Sequence, residues 1–271
     1  MIPKILILLC ILSFNSFGQI ISHENTTLIC YWPNYGRSLR LIGGYNPGVG
    51  WMDEDDSIDQ YQKGLAFYKT DLHGSEYLVT TGDVDYELGS WYALIPEHYR
   101  GEENTNGTYF SNRVPLNTSD ITICSPLNEV YQNLMTQEIS SRDVELDQAR
   151  LDQLIRVDLN GDGVDEMLIT SHSQENFGGR IMGPTNDYSL FCVRYVTPSG
   201  VNTEIVGFQN CLRSGSLYEP AKFVIESILD INGDGAMEFI LSATGFETTW
   251  VGVYSFNGEE IECVVSSMWG V

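Results

Sequence analysis

The chain has 271 residues, with 14 Lys+Arg against 37 Asp+Glu and a formal net charge of −23 at pH 7. So acidic a chain repels phosphate backbones, which argues against nucleic acid as a partner, and against an anionic membrane surface unless calcium bridges the two. The length suits one large all-β domain or two smaller ones, and either buries a sizeable core.

In chain order, Lys4, the apolar run 5–12 and the small residues Ser16 and Gly18 read as a secretory signal peptide spanning residues 1–18. Cleavage after Gly18 is expected, and bulky Leu8 and Leu9 before Cys10 make a lipid anchor there the weaker reading. The mature protein is expected to be secreted, or periplasmic or surface-bound, with no transmembrane segment, since no later run approaches the length needed to cross a bilayer.

Residues 19–140 read as a β-rich region. Strands are expected at 28–31, 39–42, 64–68, 76–80 and 91–95, from their aromatic and branched residues. Gly43 and Gly44 are expected to break the second strand and open a Gly-rich loop over 43–50. The acid run Asp53-Glu-Asp-Asp56 reads as a solvated acidic turn; a third cation site is the alternative, but its acids are adjacent where ligands should alternate. A polar loop is expected over 101–120. One helical segment is expected near 126–153, opened by Ser125-Pro126, with Leu127, Val130, Tyr131 and Leu134 on its apolar face.

Residues 141–271 carry the strongest signal. Asp158-Leu-Asn-Gly-Asp-Gly-Val-Asp-Glu166 returns as Asp230-Ile-Asn-Gly-Asp-Gly-Ala-Met-Glu238. Oxygen side chains on alternate positions around a sharp turn suit a hard cation that gathers several oxygens at about 2.3–2.6 Å. The candidate ligands are Asp158, Asn160, Asp162, the carbonyl of Val164 and Glu166, then Asp230, Asn232, Asp234, the carbonyl of Ala236 and Glu238. Two calcium sites are expected. An EF-hand needs flanking helices and a bidentate Glu at position twelve. Position twelve is Ile169 or Leu241, and short branched apolar runs flank both loops, so these are strand–loop–strand sites. Asp165 has no acidic counterpart at Met237, so the first loop is expected to bind more tightly.

With its following apolar strand, this pattern resembles the FG-GAP/VCBS calcium repeats of integrin-type β-propellers and many secreted proteins. The resemblance covers the two loops and their flanks, and Glu166 and Glu238 stand where that family usually has Asp. Each unit, about 150–212 and 221–271, reads as four antiparallel strands with the ion loop between the first two, the layout of a propeller blade. Asn257-Gly258 between apolar strands is a hairpin signal in the second unit. Two such units do not close a propeller, so either the N-terminal segments supply degenerate blades or the units pack as a sandwich. An insertion over 174–186 is a candidate binding edge.

Five cysteines follow the leader: Cys30, Cys124, Cys192, Cys211 and Cys263. Export permits disulfides, and Cys192 with Cys211 is the pair to test, but five buried thiols are an equal alternative. The four histidines, His23, His73, His98 and His172, form no hydrolase spacing, and no nucleophile elbow exists. His172 reads as a surface residue at a strand end. Trp51, Trp91 and Trp250 offer faces for sugar stacking, or belong to the core. No catalytic residue is identified. The expected role is a calcium-binding adhesion, binding or structural module for an unidentified protein or glycan. The alternative is a secreted hydrolase with its site in the N-terminal region.

Overall fold

A computed structural model describes residues 25–33, 38–73, 77–87, 91–97, 107–112, 121–173, 182–183, 186–211, 216–217 and 220–270. The expected leader and most of the insertion over 174–186 lie outside the described residues. The fold is mainly β and antiparallel.

The first half supplies β1 (Thr27–Trp32), β2 (Leu39–Asn46), β3 (Gly50–Met52), α1 (Glu54–Ile58), β4 (Ala66–Thr70), β5 (Tyr77–Glu87), β6 (Trp91–Pro96) and β7 (Gly107–Phe110). The strand order is β1-β7-β4-β5-β6-β2-β3, and β1 also pairs with β2, so six strands close into a barrel. Leu28, Cys30 and Trp32 of β1 point into its core with Leu41, Phe67 and Tyr109. Ile29 and Tyr31 point out of the barrel into a second core. A strand buried on both faces is apolar at consecutive positions, as β1 is.

Two expectations fail here and one is refined. The strand β2 runs through Gly43 and Gly44 rather than stopping at them. Both glycines serve close approach: a Cβ at Gly43 would sit 2.5 Å from the Met52 carbonyl oxygen, and one at Gly44 2.8 Å from that of Thr27. The acid run is the expected solvated turn, here wound into a short helix, because the Asp53 carboxylate caps α1 by accepting the Asp56 N–H at 3.0 Å, which leaves three acids at the positive helix end. The polar stretch 101–120 contains the buried strand β7.

The second half supplies β8 (Thr122–Ile123), α2 (Glu129–Ser140), β9 (Leu151–Val157), β10 (Glu166–His172), β11 (Met182–Gly183), β12 (Asp187–Thr197), β13 (Gly200–Cys211), β14 (Ser216–Leu217), β15 (Lys222–Leu229), β16 (Glu238–Thr244), β17 (Thr248–Phe256) and β18 (Ile261–Gly270). One sheet has the order β13-β12-β10-β9-β8, another β15-β16-β17-β18, and β11 pairs with β14.

The helix α2 is shorter than the expected 126–153. Asn128 caps it, its Oδ1 accepting the N–H groups of Val130 and Tyr131 at 3.1 and 3.4 Å. Leu127 therefore precedes the helix, and Leu127 and Val130 are 79% and 73% exposed. The buried face runs through Tyr131, Met135 and Ile139, one turn apart, against the outer side of the five-stranded sheet. The chain then turns at Asp143, which has φ +61°. Leu151 and Leu154 belong to β9 and pack against α2 from the sheet.

The layers follow one another in a single sense. In the five-stranded sheet, Met167 and Ile169 face α2, while Val157, Leu159 and Leu168 face the four-stranded sheet. In the four-stranded sheet, Phe239 and Leu241 face back toward the first sheet, while Leu229, Ile231 and Ile240 face the barrel. Residues at matching places in the two repeats thus point the same way along the stack. Between the sheets, the ring of Phe239 lies parallel to Tyr254 at 5.1 Å and edge-on to Phe191 at 5.5 Å.

Polar ties fasten the seams. The Gln153 side chain bonds both backbone groups of Ile225 across the two sheets, at 2.8 and 2.9 Å. At the barrel seam, a register shift in β15 falls at Glu226, whose Oε1 accepts from Ser242 Oγ at 2.6 Å and from Tyr31 at 3.1 Å. Cys30, Cys124, Cys192 and Cys263 are free thiols. Cys192 and Cys211 stand opposite Ile205 and Asp187 at separate points of the β12–β13 ladder, which leaves that disulfide unformed.

Candidate metal centre

Both acidic loops join antiparallel strands, β9 to β10 and β15 to β16, at the same end of each hairpin. Each folds around its leading aspartate. Asp158 Oδ1 accepts the N–H of Gly161 at 2.8 Å and of Asp162 at 3.2 Å, and its Oδ2 that of Gly163 at 2.8 Å. Asp230 takes Gly233, Asp234 and Gly235 in the same way, at 2.7, 3.1 and 3.0 Å. Asn160 Oδ1 and Asp162 Oδ1 accept the N–H groups of Asp162 and Val164. Asn232 Oδ1 and Asp234 Oδ1 do the same for Asp234 and Ala236. Gly163 and Gly235 lie at φ +86° and +93°, the left-handed region that lets so many N–H groups converge. Gly161 and Gly233 do so as well, at φ +73° and +79°.

The ninth-position glutamates close each loop from below. Glu166 Oε2 accepts the Leu159 N–H and Glu238 Oε2 the Ile231 N–H, both at 2.8 Å. Both residues are buried, at 2% and 1% exposure. Among the described residues, no lysine or arginine pairs with either glutamate. Burial, with Asp162 and Asp158 nearby, pushes the Glu166 carboxyl up to about 7, against the lowering pull of the Leu159 N–H. Burial, with Asp234 and Asp230 nearby, pushes Glu238 up to about 8.

A buried carboxylate raised by two neighbouring aspartates and carrying no counter-cation fits a hard divalent ion, which would neutralise it. In this conformation the other donors are turned onto backbone N–H groups. Among the described residues, no three His, Cys, Asp or Glu side chains converge on one point. The oxygens that bond Val164 and Ala236 N–H would have to be shared with an ion or turned toward it.

The loops differ at the eighth position. Asp165 is ion-paired with Arg156 at 3.0 Å, which offsets its charge and removes the ground for ranking the first loop as tighter on Asp165 alone. Met237 is buried between the sheets instead.

One polar cluster escapes the sequence reading. His172 is 1% exposed, not at the surface, with Nε2 3.1 Å from Asp152 Oδ2. Lys222 Nζ is 3.1 Å from the same oxygen. The His172 contact and Lys222 hold the Asp152 carboxyl well below the usual range, against the opposing effect of burial. A signal for this cluster is absent from local sequence, since Lys222 comes from the other sheet. Trp51 and Trp250 are partly buried and pack against apolar clusters, and the Trp91 side chain lies outside the described residues. No helix among the described residues is long and apolar enough to cross a membrane.

No family model matches the chain, and neither a curated protein nor a solved structure is significantly similar to it.

Proposed function

We propose that the protein is an exported calcium-binding module of the FG-GAP/VCBS kind, with a binding, adhesion or structural role. Its two loops would each take one calcium through Asp158, Asn160, Asp162, the Val164 carbonyl and Glu166, and through Asp230, Asn232, Asp234, the Ala236 carbonyl and Glu238. The observation that carries this reading is the buried glutamate at the base of each of two loops with the same internal bonds. The same-sense stacking of the two sheets supports treating each unit as one blade-like repeat, with the barrel standing where a third unit would pack. In this role calcium replaces repulsion among three carboxylates by attraction and pins the shared end of two strands.

An ion bound only by the folded state stabilises it by about 2.7 kcal/mol at a hundredfold excess over Kd, so two sites supply on the order of 5 kcal/mol. Chelation with EGTA should lower the melting temperature by roughly 10–20 °C, and magnesium should restore little of it because it prefers a smaller octahedral shell. Asp158→Ala and Asp230→Ala should each remove at least about half of the calcium response. A melting curve that calcium leaves unmoved, with no binding heat, would refute the proposal.

A further inference from the structure

The two loops are not separate ends of separate hairpins. The N–H of Met237 in the second loop donates to the carbonyl of Leu159 in the first, at 2.6 Å. The N–H of that same Leu159 is held by Glu166 Oε2. Met237 is followed directly by Glu238, whose Oε2 holds Ile231 N–H. A route through two residues, Leu159 and Met237, therefore links the buried carboxylate of one loop to that of the other. The approach is close elsewhere as well. A Cβ on Gly161 would lie 3.4 Å from the Gly235 carbonyl oxygen, and one on Gly258 3.0 Å from Asn160 Nδ2. Leu159 and Met237 also share one apolar core.

We propose that the two loops bind their cations as one coupled unit, the first ion setting the Leu159–Met237 bond and so shaping the second loop for its own ion. This rests on the calcium reading above and adds positive cooperativity to it. The physical ground is that the residue whose N–H Glu166 fixes, Leu159, also gives its carbonyl to the second loop, at the residue just before Glu238. Turning Glu166 toward an ion moves or firms Leu159, and the Leu159 carbonyl positions Met237, the residue directly before Glu238. Such a coupling is reciprocal: filling either loop must raise the affinity of the other by the same factor.

The test is calorimetric titration of the full mature chain with calcium, beside Glu166→Gln and Glu238→Gln. Glutamine keeps an oxygen for the Leu159 or Ile231 N–H while removing the charge. Coupled loops give a Hill slope above 1 for the wild type, and the surviving site of each variant binds at least about fivefold more weakly than the same site in the wild type. Two ions bound with a Hill slope of 1 or less, and a wild-type isotherm equal to the sum of the two variants, would overturn the coupling while leaving calcium binding intact. No heat and no stoichiometry in the wild type would overturn both. If either variant fails to fold by circular dichroism, the wild-type Hill slope alone decides.

Discussion

The first and second acidic loops have nearly the same internal hydrogen bonds and quite different surroundings. Loop one sends Leu159 into the core between the two sheets, while its residues 161–165 are exposed and Asp165 pairs with Arg156. Loop two sits deeper, with Met237 in the inter-sheet core and Ile231 against the barrel. Its glutamate also accepts a bond from Asn232 Nδ2 at 2.9 Å, and burial raises it further than its counterpart. The lesson is that the loop motif sets its own bonds, while its neighbours decide how much the charge inside it costs.

The largest test of this difference lies one residue beyond each glutamate. Phe239 belongs to a three-ring cluster between the sheets, whereas Met167 packs outward beneath α2. Phe239→Ala should cost about 3–5 kcal/mol in urea unfolding, and Met167→Ala should fall toward the lower end of the about 2–5 kcal/mol range for such truncations. Equal costs would mean that the inter-sheet core is no more demanding than the helix-covered face.

A smaller effect is expected from pH. Both glutamates have folded values above their ordinary one, so the folded state holds their protons more tightly than the unfolded chain does. Their contribution is then fully present below about pH 4.5 and lost as pH rises toward 7 for Glu166 and 8 for Glu238. In EGTA, stability should therefore fall between pH 5 and 8. Glu238→Gln should remove a share of that fall reaching up to about pH 8, and Glu166→Gln a share that ends near pH 7. Calcium should flatten or reverse it in the wild type. A stability in EGTA that rises across this window would break the comparison.

The smallest effect concerns Arg156. Its pair with Asp165 is about half exposed, so Arg156→Ala should change stability by less than about 1 kcal/mol. It should also free a carboxylate charge beside loop one and tighten calcium binding there by a modest factor. Calorimetry that shows weaker binding at that loop would mean Arg156 supports the loop rather than opposing the ion.

The two acidic loops and the strands around them were legible in the sequence because their determinants are local. Asp158 bonds N–H groups three to five residues on, and Asp230 repeats the pattern, so a nine-residue window contains what shapes each loop. The long apolar strands of the second half were legible for the same reason. Tertiary structure decided the rest, because the groups involved meet only after folding. Gly43 and Gly44 look like a break until Met52 and Thr27 are seen pressed against them. Leu127 and Val130 look like a buried face until Asn128 sets where the helix begins and the sheet selects Met135 and Ile139. The barrel closes through the pairing of β1 with both β2 and β7, and no local period encodes that second partner. His172 is buried because Asp152 and Lys222, one from each sheet, neutralise each other beside it. The bond from Met237 to Leu159 joins peptides that are far apart in the chain, and backbone groups leave no trace in side-chain pattern.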